Sequence, residues 1–210
     1  MKIKYVLFVI ALVFSHCLEA KPKTVKGKII YENDSIDVLF VIPFAYSTEE
    51  LKVWGLQNKV KFINSATRKK SIVKPSQEKE IQFYYEENEG FTKIRMISTY
   101  NRVKQISGSE SFLDNIFLKI DIEGKMNLYT YYYRENNPGD SATTGGLFVV
   151  SSKIIQRQDD NMLMPRYSYL KKDLTEYITD CPEAKRTVEN SVNSLNDIKK
   201  VVEIYNVYCK

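Results

Sequence analysis

The feature that most constrains this chain is the period of its apolar residues, which is two over residues 25–156 and becomes helical after residue 166. Val25–Tyr31 and Ile36–Ile42 flank the polar stretch Glu32–Ser35, a pattern typical of a β-hairpin. A second hairpin is predicted around Glu123-Gly124-Lys125. Because hairpins join antiparallel strands, residues 21–160 are predicted to form an antiparallel sheet, either a sandwich or a partly open barrel.

A helical segment is predicted for residues 161–210, packed on the sheet. Asp180 is the expected cap of a helix with Pro182 in its first turn, and Ser194-x-x-Asp197 predicts a second cap. The last helix has an apolar stripe at Ile198, Val201, Val202, Tyr205 and Tyr208. The predicted fold class is therefore α+β, with an antiparallel β-sheet body followed by a C-terminal helical unit.

Residues 1–20 are predicted to be a removable export signal. A basic start precedes an apolar run, Tyr5–Ser15, that is too short to span a bilayer, and the predicted cleavage lies between Ala20 and Lys21. An alternative is a lipoprotein signal acylated at Cys17, although the preceding residues Phe14–His16 fit that pattern poorly. The expected destination is the periplasm, the outer membrane or the medium, and no transmembrane helix is expected in the mature chain.

Histidine is confined to one position, His16, inside the predicted signal. Residues 21–210 therefore cannot use Ser-His-Asp or Cys-His catalysis, and they cannot bind a metal through imidazole. Phosphate-binding glycine loops and calcium-binding loops are also missing from the sequence. We predict no catalytic residue, no cofactor and no metal ligand.

Paired carboxylates are the remaining catalytic option, because two such groups hydrolyse glycosides without histidine. Glu86-Glu87, Glu89 and Asp159-Asp160 fall in predicted turns, whereas Asp121 and Glu123 flank a hairpin tip. No pair stands out as acid and base. A carboxylate-dependent hydrolase acting on glycan or cell-wall material is therefore the alternative to a non-enzymatic function.

The two remaining cysteines, Cys181 and Cys209, form an even pair in a protein predicted to be exported. In an oxidising compartment such a pair is expected to form a disulfide, and it lacks the C-x-x-C spacing of redox enzymes. The predicted bond would fasten the helices to one another.

Tyrosine is abundant, with 15 residues, and three of them alternate along one strand: Tyr129, Tyr131 and Tyr133. They share one face of the strand, while Met126, Leu128, Thr130 and Tyr132 share the other. The tyrosine row is interpreted either as cross-strand packing or as an aromatic binding face.

Charge gives a weaker indication of the partner. The chain has 31 Lys+Arg and 26 Asp+Glu, a net charge of +5, with basic clusters at Arg68-Lys69-Lys70 and Lys171-Lys172. Basic residues near tyrosines suit an anionic glycan or lipid or an envelope protein, and export argues against nucleic acid.

The string Tyr177–Glu183 and the later Tyr205-Asn206 and Cys209 resemble the closing segment of small, uncharacterised exported proteins of Gram-negative bacteria. The resemblance extends to Lys79–Phe83 in the β-rich part. It implies an exported β-rich body with a terminal Asp-Cys-Pro…Tyr-Asn…Cys helical unit, and it implies no activity. The resemblance supplies a setting and nothing more. A non-enzymatic binding or accessory module for another envelope component is predicted from the export signal, the absence of histidine from residues 21–210, the tyrosine-rich strands and the lack of a convergent catalytic set.

Overall fold

The computed structural model describes residues 23–42, 53–75, 80–87, 90–99, 115–136, 147–158 and 162–209. Nine strands form one antiparallel sheet. They are β1 (Lys23–Ile30), β2 (Ser35–Ile42), β3 (Val60–Asn64), β4 (Lys70–Val73), β5 (Glu80–Glu87), β6 (Gly90–Ser98), β7 (Phe117–Ile122), β8 (Met126–Asn136) and β9 (Leu147–Arg157). The sheet is open, and the predicted α+β class is confirmed.

The order of the strands across the sheet is β4-β3-β2-β1-β5-β6-β7-β8-β9. Every neighbour is consecutive in sequence except the pair β1 and β5, so two antiparallel meanders, β1 to β4 and β5 to β9, are joined where β1 pairs with β5. At that junction Gly27 lies opposite both Val38 and Phe83. A Cβ atom on Gly27 would lie 2.2 Å from the carbonyl oxygen of Gln82, so only glycine lets the two meanders approach this closely.

One face of the sheet is covered by a large apolar core in its first seven strands. Phe40 and Phe83 meet edge to face there, with their ring centres 5.9 Å apart, and both side chains are fully buried. Leu56, from the connection between β2 and β3, closes this core. The period-two pattern of the sequence therefore marks the buried face correctly.

Three helices follow the sheet, α1 (Leu170–Tyr177), α2 (Pro182–Ser191) and α3 (Ile198–Tyr208). Their apolar sides pack together and against Met126, Leu128 and Ile155 of the sheet. Most of the predicted stripe of α3 is buried, but Tyr208 is 62% exposed, because Cys209 takes the inward position at the helix end.

The predicted disulfide pair lies at the base of this helical unit. Cys181 and Cys209 are buried, with their Cα atoms 5.5 Å apart and their sulfur atoms at disulfide distance. The pair joins the start of α2 to the end of α3.

The predicted cap at Asp180 is wrong. The residue at the N-cap position of α2 is Cys181, and no side chain caps the helix there. Asp180 instead accepts hydrogen bonds from the Tyr205 hydroxyl (2.6 Å) and from Arg157 (3.0 Å), which hold its carboxylate away from the helix end. The second predicted cap is confirmed, because the Asp197 carboxylate accepts a hydrogen bond from the Ser194 N–H at 2.8 Å.

Candidate functional site

A cleft of about 1010 Å³ opens beside the second half of β8. Most of its lining comes from three parts of the chain: the connection between β2 and β3, the paired strands β8 and β9, and the segment that leads into α1. Ile116, before β7, and Leu195, between α2 and α3, also line it. The described lining residues used below are Trp54, Gln57, Asn58, Lys59, Tyr131, Tyr133, Val149, Ser152, Met164, Arg166 and Tyr167.

Gln57 fixes the first wall of the cleft against the sheet. Its side-chain amide accepts a hydrogen bond from the Tyr132 N–H (2.6 Å) and donates one to the Tyr132 carbonyl (2.7 Å). Its own carbonyl accepts a hydrogen bond from the Phe117 N–H at 2.8 Å. Because the pairing of β7 with β8 ends at Thr130, the Gln57 amide takes the place of a β7 residue opposite Tyr132. By fixing this segment against β8, the Gln57 side chain places the nearby Trp54 at the cleft.

Arg166 and Asp173 fix the opposite wall. The guanidinium of Arg166 donates two hydrogen bonds to the buried Asp173 carboxylate, at 3.0 and 2.6 Å, and the Arg166 N–H donates a third at 2.9 Å. These hydrogen bonds lower the pKa of Asp173, although burial acts in the opposite direction. The same hydrogen bonds hold the segment that precedes α1 against that helix. The next residue, Tyr167, is 74% exposed and lies at the cleft.

The floor of the cleft is a pair of stacked tyrosine rings. Tyr131 and Tyr133 lie on the same face of β8, with ring centres 5.8 Å apart and an interplanar angle of 19°. Both residues are half-buried, so each ring keeps part of its surface open to the cleft. Burial and the neighbouring Tyr133 raise the pKa of Tyr131, so its hydroxyl stays protonated in neutral solution.

The structure separates Tyr129 from the other two tyrosines of the predicted binding face. Tyr129 is 3% exposed and packs in a small apolar cluster with Leu118, Ile154 and Met162. Its hydroxyl donates a hydrogen bond to the Gln156 side chain at 3.2 Å. Tyr129 therefore supports the sheet, and the accessible tyrosines are Tyr131 and Tyr133.

Lys59 is a cationic residue at the cleft. It has no carboxylate partner among the described residues. It is exposed next to Asn58, whereas the charge of Arg166 is paired with Asp173. No aspartate or glutamate is among the described residues that line the cleft. The described lining is aromatic, amide and weakly basic.

The carboxylates considered in the sequence lie elsewhere. Asp121 accepts hydrogen bonds from Lys153 (2.7 Å) and from Thr130, and it pairs with Lys119 at 3.0 Å. Burial raises its pKa, but these partners outweigh burial and lower it. Glu123 forms an ion pair with Arg95, which also binds Glu80.

For some residues singled out in the sequence, the structure describes the backbone but not the side chain, and for others it describes neither. The side chains of Glu86 and Glu87, and the whole of Glu89, Asp159 and Asp160, lie outside the described part of the chain. The same is true of the predicted cleavage residues Ala20 and Lys21 and of Cys17.

Sequence reasoning missed Trp54, Gln57, Arg166 and Tyr167. Gln57 and Tyr132 are 75 positions apart, and no local pattern connects them. The one available signal is that the chain has a single tryptophan, a residue type frequent at binding surfaces.

Comparisons with known proteins return no match: no family model, no curated protein and no solved structure is similar to this chain. In the described residues, no helix has the length and apolar character needed to cross a membrane. Within that same part of the chain, no group of His, Cys, Asp and Glu side chains has the arrangement of a metal site.

Proposed function

We propose that this protein is a non-enzymatic, exported binding module that holds another component of the cell envelope in the aromatic cleft. The observation that carries the proposal is the open stack of Tyr131 and Tyr133. Binding sites for ligands and for partner proteins are typically concave, rich in aromatic side chains and supplied with a few fixed polar groups.

The rigid walls of the cleft support this proposal. The Gln57–Tyr132 pair holds one wall by two hydrogen bonds, and the Arg166–Asp173 pair holds the other by three. A preformed site loses less conformational entropy on binding than a mobile one, so these pairs favour affinity. Lys59 adds one positive charge, which suits a partner with an acidic group near its bound segment.

The setting outside the cytoplasm rests on the predicted signal over residues 1–20 and on the resemblance of the C-terminal segment to exported Gram-negative proteins. The buried Cys181–Cys209 pair is compatible with that setting, because disulfides persist in oxidising compartments.

Affinity capture from native envelope tests the proposed function. The tagged full-length chain is expressed in the source cell, the envelope is gently solubilised, and the captured material is identified by mass spectrometry. Three forms are compared: the wild type, the double variant Tyr131→Ala/Tyr133→Ala, and Tyr84→Ala. Tyr84 is a matched control because it is an exposed tyrosine on β5 that does not line the cleft.

We expect one envelope component to be captured equally by the wild type and by Tyr84→Ala. The double variant should retain about tenfold less of it, since central aromatic residues carry much of the binding energy of an interface. Circular dichroism and thermal melting confirm that each variant is folded. Equal capture by all three forms would rule out the cleft as the binding site.

A further inference from the structure

In the described part of the chain, one edge of the sheet lies open beside the cleft. β9 is the last strand, it has 11 residues, and β8 pairs with it over its whole length. On its outer side the described residues provide a single partner, Leu163, which exchanges two backbone hydrogen bonds with Ile155 at 2.9 and 2.8 Å. The chain's own Leu163 therefore shows that this edge accepts an antiparallel partner at Ile155.

The backbone direction along β9 follows from that bridge. Ile155 directs both its N–H and its carbonyl outward, and in an antiparallel strand this direction repeats every second residue. Val149, Ser151 and Lys153 therefore direct their backbone groups outward too. None of these groups has a backbone hydrogen bond to another described residue outside the sheet ladder. Val149 and Ser151 are also exposed, whereas Lys153 is half-buried, so the edge is most accessible at Val149 and Ser151.

The two edges of the sheet differ in how well they are protected against the addition of another strand. β4, at the opposite edge, has only four residues, begins with the exposed Lys70 and is followed closely by Pro75. Short edge strands, lysine and proline are common devices against strand addition. On β9 the single lysine, Lys153, binds Asp121 at 2.7 Å and Thr130 across the sheet, which directs its charge away from the edge.

This edge is continuous with the aromatic cleft. Val149 and Ser152 of β9 line the cleft together with Tyr131 and Tyr133 of β8. A strand added outside β9 would present every second side chain on the cleft side of the sheet. We propose that the partner is a polypeptide, and that an extended segment of it adds to β9 as a tenth strand with alternate side chains in the cleft. This inference rests on the proposed function, since it names the chemical class that the same site binds.

The test begins with a peptide library. The full-length chain is used as bait for a phage-displayed library of linear peptides, and the affinity of enriched peptides is measured by the fluorescence of Trp54, the only tryptophan. The decisive variant is Ser151→Pro, which removes one outward N–H at an edge position where proline is tolerated. Its matched control is Ser151→Ala, which removes the hydroxyl and keeps the N–H.

We expect enriched peptides to bind the wild type and Ser151→Ala equally and to bind Ser151→Pro at least about tenfold more weakly, because a main-chain hydrogen bond is lost and the added ring blocks the edge. Hydrogen exchange of the wild type, followed by NMR, provides a second test that needs no variant. Peptide should newly protect the amides of Val149, Ser151 and Lys153, while the intervening amides are protected already by β8.

Three results would overturn the inference. They are the absence of any enriched peptide, equal binding by Ser151→Pro, and protection of the same three amides without peptide at high protein concentration, which would indicate pairing between two copies of the chain. The capture experiment from native envelope, repeated with Ser151→Pro, distinguishes the two proposals. If Tyr131→Ala/Tyr133→Ala no longer captures the envelope component and Ser151→Pro still does, the cleft is the binding site and strand addition is wrong. The reverse result would support strand addition and show that the two tyrosines are not needed.

Discussion

Gln57 and Asn206 bind the backbone of β8 in the same way, each through both ends of its side-chain amide. Gln57 pairs with Tyr132, and Asn206 pairs with Met126 through hydrogen bonds of 2.7 and 2.9 Å. Between these two positions β7 pairs with β8, with a shift of register between Ile120 and Ile122. The two amides therefore complete the side of β8 that the shorter β7 leaves unpaired, and buried backbone groups require such partners.

Replacing Gln57 by alanine should lower the free energy of unfolding by about 2–4 kcal/mol, because two backbone groups of Tyr132 lose their partners. Urea denaturation measures this change. The control is Gln82→Ala, since Gln82 donates only to Glu80, and we expect it to cost less than about 1 kcal/mol. A Gln57 variant as stable as the control would show that the Gln57 side chain does not hold the wall of the cleft.

Tyr205 gives the stability a dependence on alkaline pH. Burial, and then its hydrogen bond to Asp180, raise the pKa of Tyr205 from 10.0 to about 12. A pKa raised in the folded state favours folding below the unfolded pKa, and that contribution is lost as the pH rises through the folded pKa. Tyr205 therefore stabilises the fold up to about pH 10 and ceases to do so near pH 12.

The variant Tyr205→Phe isolates this contribution. At pH 9 we expect the wild type to be more stable by about 2 kcal/mol, since the hydrogen bond joins a hydroxyl to a carboxylate. The difference should shrink between pH 10 and 12 as Tyr205 ionises in the wild type alone. Denaturant unfolding across this range, with both proteins at each pH, measures the difference; a difference independent of pH would contradict the assignment.

At the scale of elements, the junction of the two meanders depends on Gly27. The variant Gly27→Ala places a methyl group against the Gln82 carbonyl and the Phe40 ring, so strands must separate. We expect a loss of about 3 kcal/mol or more in the free energy of unfolding, at the upper end of overpacking effects. Thermal and urea unfolding measure it.

Gly124→Ala is the matched control for that prediction. Its added Cβ would lie 2.7 Å from the Asn206 side-chain amide, so a shift of that side chain relieves the clash without separating strands. The shift weakens the two hydrogen bonds between Asn206 and the Met126 backbone, so we expect a loss of about 1–2 kcal/mol and faster exchange of the Met126 amide, which donates one of these bonds. If both glycine variants lose the same stability, the special position of Gly27 is disproved.

The elements themselves were predictable from the sequence because their signals are local. The alternation of Ile81 and Phe83 with polar neighbours marks a strand, and the Ser194–Asp197 spacing marks a helix start. The cap at Asp180 failed for a different reason. Its partners Arg157 and Tyr205 lie more than 20 positions away in either direction, and they outcompete the helix end for the carboxylate.

The site was less predictable than the elements. The alternation placed Tyr131 and Tyr133 on one face, but it could not show that Tyr129, on the same face, is buried beneath Met162 and its neighbours. The walls depend on which segments the chain brings to β8, and the Gln57–Tyr132 contact arises only when the sheet is assembled. The period of the apolar residues predicts which side chains share a face of a strand. It does not predict a cleft, because a cleft forms only when distant segments come together in the complete fold.

At the scale of the whole molecule, the Cys181–Cys209 pair closes the helical unit over 28 positions. A loop of this length constrains the unfolded chain by about 3–4 kcal/mol in the chain-entropy account. Cys209→Ser should lower the free energy of unfolding by about this amount and release a titratable thiol at Cys181. Urea unfolding with thiol titration measures both effects.

The control for the disulfide is the variant Cys181→Ser/Cys209→Ser. It should be as unstable as the single variant, and a reducing agent should leave its stability unchanged while it lowers that of the wild type. A wild type whose stability is insensitive to complete reduction would contradict the structural role of the pair.

An envelope component held in the cleft above Tyr131 and Tyr133 should be within reach of a crosslinker placed there. We would use site-specific photo-crosslinking in living cells, with a photoreactive phenylalanine analogue replacing Tyr133 in the cleft or Tyr84 on β5. We expect one discrete adduct from position 133, identified by mass spectrometry as an envelope component, and none from position 84. If position 133 gives no adduct, or both positions give the same adduct, the cleft is not the binding site.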